Sequence, residues 1–210
     1  MKIEGQHTFQ APRELVWKTV QDPNVLAAVL PGCEDFQETG ENEFTGTLKI
    51  KVGPVQGKFK GTVALSDLIE PSSYNMRIQG KGAPGFVDGS GQLRLEEDGD
   101  TTVLHYEVDA KVGGRIASVG QRLLDSSSKV ITRQALEGLD QQVTAQAEAA
   151  QAGEEPPTPV EAPSQSEFAA DFTKGMVDEL VPKKRRPAIF GFAGLAGLAV
   201  GILIFRSCGF

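Results

Sequence analysis

The chain has 210 residues, 28 of them acidic against 21 basic, and a formal net charge of −7. That length exceeds one ordinary domain by a tail, so one globular unit with an appendage is expected. The acidic balance argues against a nucleic-acid partner for the folded part. Cys33 and Cys208 lie far apart in a chain whose start, MKIEGQHTFQAP, lacks the apolar core of a secretory signal. A cytosolic redox setting without a disulfide is therefore expected.

In chain order, KIEGQHTF alternates Ile3, Gly5, His7 and Phe9 against polar neighbours, which predicts a first strand. APRELVWKTVQD places Leu15, Val16, Thr19 and Val20 at helical spacing, with Pro12 suited to the first helical position. A second short helix is predicted from Asn24 to Leu30, ending at Pro31-Gly32. Five alternating segments follow. Their inward sets are Phe44 to Val52, Phe59 to Leu65, Tyr74 to Gly80, Gly91 to Leu95 and Leu104 to Val112. Turns such as Gly53-Pro54, Pro71-Ser72-Ser73 and Asp98-Gly99-Asp100 separate them, so the segments predict an antiparallel meander with one apolar and one polar face. From Ile116 to about Ala150 the period changes to near 3.6, and Ile116, Val119, Leu123, Leu124, Ser127, Val130, Ile131, Leu136, Leu139 and Val143 form one stripe. A long amphipathic helix across one side of a curved sheet buries both apolar surfaces.

Composition then changes. Residues 151–182, with EEPPTPVEAP, read as a Pro/Glu-rich linker that cannot bury enough apolar surface to order itself. Within it, Phe168, Phe172, Met176 and Leu180 are spaced for a short amphipathic helix. Residues 183–210 open with Lys183, Lys184, Arg185 and Arg186, and the run from Pro187 to Phe205 carries no charge. As a helix that run reaches about 28 Å, close to the hydrocarbon thickness of a bilayer. The expectation is a single-pass C-terminal membrane anchor. Its four basic residues would bind the anionic cytoplasmic leaflet and hold the folded domain, residues 1–150, in the cytoplasm. A helix docked in a partner's groove is the rival reading. Gly197 to Gly201 forms a GxxxG that would suit self-association of such helices.

Gly80-Lys81-Gly82-Ala83-Pro84-Gly85 fits the pattern of a dinucleotide-binding turn, but a strand follows it and not a helix. Without a helix N-terminus there is no dipole for a pyrophosphate, so a strand-to-strand turn is expected. No catalytic or metal-ligand constellation is visible in the sequence. On the strand phases His105 falls on the polar face and His7 on the apolar one. Cys33 in LPGCE has no histidine at motif spacing.

Several stretches make the chain resemble a known family. They are FQAPRELVWKTVQDPNVLAAVLPGCEDFQ, GTLKIKVGPVQGKFKG, GKGAPGFVDGSG and GGRIASVGQRLLD, with LPGCE and KVGPVQGKF the most specific. Residues 1 to about 145 resemble the carbon monoxide dehydrogenase G-subunit family, within the START-like, polyketide-cyclase-like helix-grip superfamily. The resemblance implies an α+β helix-grip fold, a curved antiparallel sheet wrapped around a long C-terminal helix. It also implies a non-enzymatic protein that recruits a molybdenum-containing carbon monoxide dehydrogenase-type hydroxylase to the membrane. Through a helix-grip cavity it would carry an apolar ligand, menaquinone or another prenylquinone. A recruiter or assembly factor with a filled core is the alternative. A cyclase or hydrolase is a third reading, with His7 and Tyr106 as its acid–base candidates. On the strand and helix phases, the residues that would line an open interior are Leu48, Ile50, Phe59, Val63, Met76, Ile78, Phe86, Tyr106, Val108, Ile116, Val119, Leu123 and Ser127.

Overall fold

The computed structural model describes residues 1–153. The uncharged run, its basic flank and the linker beyond Gly153 lie outside the described residues. Among the described residues no helix is long and apolar enough to cross a membrane.

The alternating segments build one seven-stranded antiparallel sheet. Its strands are β1 (Lys2–Phe9), β2 (Cys33–Gly40), β3 (Glu43–Val52), β4 (Val55–Ile69), β5 (Ser73–Gly82), β6 (Gly85–Asp98) and β7 (Thr101–Gly113). The order β1-β7-β6-β5-β4-β3-β2 is a meander to which β1 returns, pairing β7 with Ile3 opposite Val108 and Phe9 opposite Thr102. Register keeps each predicted inward set on one face: Phe44 stands opposite Val63, Val63 opposite Ile78, and Leu93 opposite both Tyr74 and Tyr106. The GKGAPG segment is a strand-to-strand turn, with Gly82 paired to Gly85 across Ala83-Pro84.

Two short helices join β1 to β2: α1 (Arg13–Thr19) and α2 (Pro23–Val29). Pro12 stands just outside α1 as its N-cap, one position earlier than the sequence suggested. The α2 start is fixed by the Asp22 carboxylate, which accepts from the Asn24 amide at 2.8 Å, and by Pro23 in the first helical position. The stretch from Ile116 onward is not one helix. A 3₁₀ turn, Arg115–Val119, comes first, and α3 (Gln121–Ala152) begins after Gly120. Gly120 has φ 90°, a conformation that side chains disfavour, so the chain turns a corner there.

The helix α3 lies along the apolar face of the sheet, and the core divides between its two ends. At one end Phe9, Val16, Trp17, Val25, Tyr74, Leu93, Leu95, Leu104, Leu139 and Val143 form the larger cluster, beneath α1 and α2. At the other end Val52, Phe59, Ile116 and Leu124 form a smaller one. Thr19 ties α1 to the far end of α3, its hydroxyl 2.8 Å from the Leu15 carbonyl and 2.9 Å from Gln146 Oε1.

Candidate ligand-binding site

Between these two clusters the inner face of the sheet is apolar and only partly covered. Leu48, Val63, Ile78 and Val108 point the same way as the core residues beside them, yet belong to neither cluster and remain partly exposed. Their neighbours in register include the glycines that thin this part of the sheet. Gly46, Gly61 and Gly80 form one continuous row across β3, β4 and β5, while Gly89 and Gly91 stand beside Ile78 and Met76. A Cβ placed on Gly80 would meet no atom within 4 Å. The glycines therefore withhold side chains from the middle of the inner face.

The middle of α3 spans the same interval, because Leu124 packs in the small cluster and Leu136 against the large one. On that stretch Ser127 is buried, and its Oγ has no hydrogen-bond partner. Gln134 stands two turns further along the same helix face, and its Oε1 is likewise buried without a partner. A buried polar atom without a partner forgoes about 1–3 kcal/mol, so such positions call for an occupant that can pair with them.

Most of the sequence-derived lining set converges on this interior. Ile50, Val119 and Leu123 pack around the Val52–Phe59–Ile116–Leu124 cluster, and Met76 and Tyr106 around the larger one. Leu48, Val63, Ile78, Val108 and Ser127 border the interval itself. Phe86 does not belong with them. The two-residue turn before β6 sets Phe86 opposite Lys81 and Gly113, on the outer face, where it is 48% exposed. Sequence reasoning missed Gln134, although a glutamine seven residues after Ser127 on an otherwise apolar stripe was the available signal.

His7 lies on the inner face, as its strand phase requires. Its ring meets Phe9 edge-on at 4.7 Å, and its Nε2 stands 3.5 Å from the Asp140 carboxylate on α3. Tyr106 is its diagonal neighbour on β7, with the phenol oxygen over Gly5. Burial raises the pKa of the Tyr106 phenol, and raises that of Tyr74 beneath Trp17 far more. His105 sits on the outer face, 3.2 Å from Glu96. Cys33, opposite Leu48, is half-buried; desolvation first, then the nearby Asp35 and Glu34 charges, raise its thiol pKa. The thiol therefore stays protonated near neutral pH. No group of three or more His, Cys, Asp or Glu side chains that could hold a metal occurs among the described residues.

Residues 5–144 match the sequence profile of the carbon monoxide dehydrogenase G-subunit family, CoxG. The chain belongs to this family. A crystal structure of a conserved protein from Geobacillus kaustophilus shares 27% identity with this chain at a TM-score of 0.66, covering 71% of this chain and 97% of its own. The fold alone is shared with the Zhui aromatase/cyclase from Streptomyces sp. R1128, at 18% identity and TM-score 0.54, covering 71% and 97%. It is shared too with a START superfamily protein from Mycobacterium smegmatis, at 14% identity and TM-score 0.50, covering 68% and 98%. No curated protein matches the chain. The CoxG-family domain thus has a START-like helix-grip fold.

Proposed function

We propose that this protein is a carrier that holds a prenylquinone between the sheet and α3, tethered to the membrane and serving a carbon monoxide dehydrogenase-type molybdenum hydroxylase. The observation that carries the reading is the partly covered middle of the inner face, where Leu48, Val63, Ile78 and Val108 stay partly exposed and a Cβ on Gly80 would meet no atom within 4 Å. It faces a helix stretch with two unpartnered buried polar atoms, Ser127 Oγ and Gln134 Oε1. The apolar wall suits an isoprenoid tail, since each Å² removed from water contributes roughly 25 cal/mol. The polar pair suits a head group: the Ser127 hydroxyl can donate to a ring carbonyl, and the Gln134 amide can donate or accept. Electron transfer from a hydroxylase needs a diffusible acceptor, and the family description supports that partner. The uncharged run from Pro187 to Phe205 and the basic residues before it support the tether to a cytoplasmic membrane face.

The test is organic extraction of the full-length protein purified from its native membrane, with mass spectrometry of the extract. A stoichiometric prenylquinone is expected. Gly80→Leu projects a side chain into the open space above the glycine row and should lower the bound amount at least tenfold while the protein stays folded. An extract without any apolar ligand, from wild type and variant alike, would leave the filled-core recruiter as the better reading.

A further inference from the structure

The outer face of the sheet is electrostatically polarised, although the whole chain is acidic. Lys49, Lys51, Lys58, Lys60, Lys81 and Lys111 all project from the outer face toward the end that carries the β3–β4 and β5–β6 turns. Glu4, Glu43, Glu96 and Glu107 occupy the opposite end of the same face. Within the basic end, Lys49 stands directly opposite Lys58, and Lys60 directly opposite Lys81. Like charges facing each other across strands oppose sheet formation. Both Lys60 and Lys81 are exposed, and neither forms an ion pair among the described residues. Nearby carboxylates are partly engaged, Glu34 with Lys58 at 2.6 Å and Asp88 with Arg77 at 2.6 Å. Over the glycine row lies an open depression of about 610 Å³, bordered by Thr47, Lys60, Thr62, Gln79, Lys81 and Phe86. Asp35 and Asp88 close its far rims. Phe86, 48% exposed, stands in register with Lys81.

We propose that this basic end of the outer face docks the domain on an anionic lipid surface, with phosphate head groups between Lys60 and Lys81 and Phe86 at the headgroup level. Two observations favour lipid over an acidic protein. An exposed aromatic ring among lysines matches the chemistry of a membrane interface, where a greasy body and cationic neighbours are both accommodated. The same chain continues through Lys183–Arg186 into the uncharged run, so the occupant with the right charge is the one that run would enter. Docked this way, the turn end of the sheet and the 3₁₀ turn stand next to the source of an apolar ligand. The inference rests on the membrane-tethered reading of the protein.

The experiment is co-sedimentation of the full chain with phosphatidylcholine vesicles and with vesicles that also contain phosphatidylglycerol, across a salt series. Lys60→Gln with Lys81→Gln is compared with a charge-matched control at the acidic end, Lys2→Gln with Arg94→Gln. The Lys60/Lys81 variant removes a cross-strand repulsion, so its thermal midpoint should hold or rise. Its extra affinity for phosphatidylglycerol vesicles should fall about tenfold or more, whereas the control should change less than about twofold. Binding to neutral vesicles reports the C-terminal run and should be equal in all three. Equal losses in variant and control, or no loss in either, would overturn the docking surface while leaving the tether standing. Unchanged vesicle binding with weakened association to the hydroxylase would reassign the patch to an acidic protein and also overturn it. If neutral vesicles bind no protein while the Lys60/Lys81 loss persists, the tether fails and the docking surface stands.

Discussion

Single residues set the properties of the interior. Gly80 contributes nothing but backbone to the inner face, and Ser127 and Gln134 each contribute a buried polar atom without a hydrogen-bond partner. Their combination predicts an asymmetric response to substitution. Ser127→Ala with Gln134→Leu removes two unpaired polar groups, so the empty protein should gain about 1–3 kcal/mol in stability. The same change should weaken quinone binding by about tenfold or more, because the head group loses its partners. Denaturant unfolding and fluorescence titration with a short-chain quinone measure the two effects; tighter quinone binding by the double variant would refute the anchor role. Asp22 belongs to a different class. It caps α2, and Asp22→Ala should cost about 1 kcal/mol, read as a drop of roughly 2–4 °C in thermal midpoint, with ligand content unchanged.

Among the elements, the two core clusters and the interval between them predict different costs for similar truncations. Leu104 is 2% exposed inside the larger cluster, so Leu104→Ala should cost about 2–5 kcal/mol. Val63 borders the interval and belongs to no cluster. Val63→Ala should cost the unliganded protein less than about 1 kcal/mol, because the removed methyls leave an existing space only slightly larger. Urea unfolding of the ligand-free variants checks both. A Val63→Ala cost equal to that of Leu104→Ala would mean that the middle of the sheet is packed. The helix α3 connects these regions: Leu124 anchors it at one end, Leu139 and Val143 at the other, and the stretch between carries the polar pair.

For the whole molecule, the described domain and the sequence beyond it assign separate tasks to apolar surface. The inner face is shielded by α3, while the run from Pro187 to Phe205 has no polar stripe to turn toward water. Deleting residues 182–210 should move the protein from the membrane pellet to the soluble fraction after ultracentrifugation at physiological salt. The basic outer face would then provide only a residual attraction that high salt removes. A truncated protein that still sediments with membranes at high salt would place the principal attachment in the folded domain.

The sequence alone determined the inward and outward faces of the strands it recognised, because side chains alternate with a period of two whatever the neighbouring strand is. It likewise marked the amphipathic stripe of α3, the GKGAPG turn and the family. It did not reveal β2, whose residues CEDFQETG hold only Phe36 and Cys33 as apolar members; an edge strand needs no buried face to pair. It misplaced Phe86, because a two-residue turn fixes the strand phase and that turn is a property of the Gly82–Gly85 pairing. It ran one helix through Gly120, where a positive φ breaks it. Tertiary structure alone decided what depends on register between distant segments. It aligned Gly46, Gly61 and Gly80 into one row, set the cluster-free interval opposite Ser127 and Gln134, and brought Lys60 face to face with Lys81. Periodicity describes a strand by itself, whereas a space or a charged patch is made by several strands together.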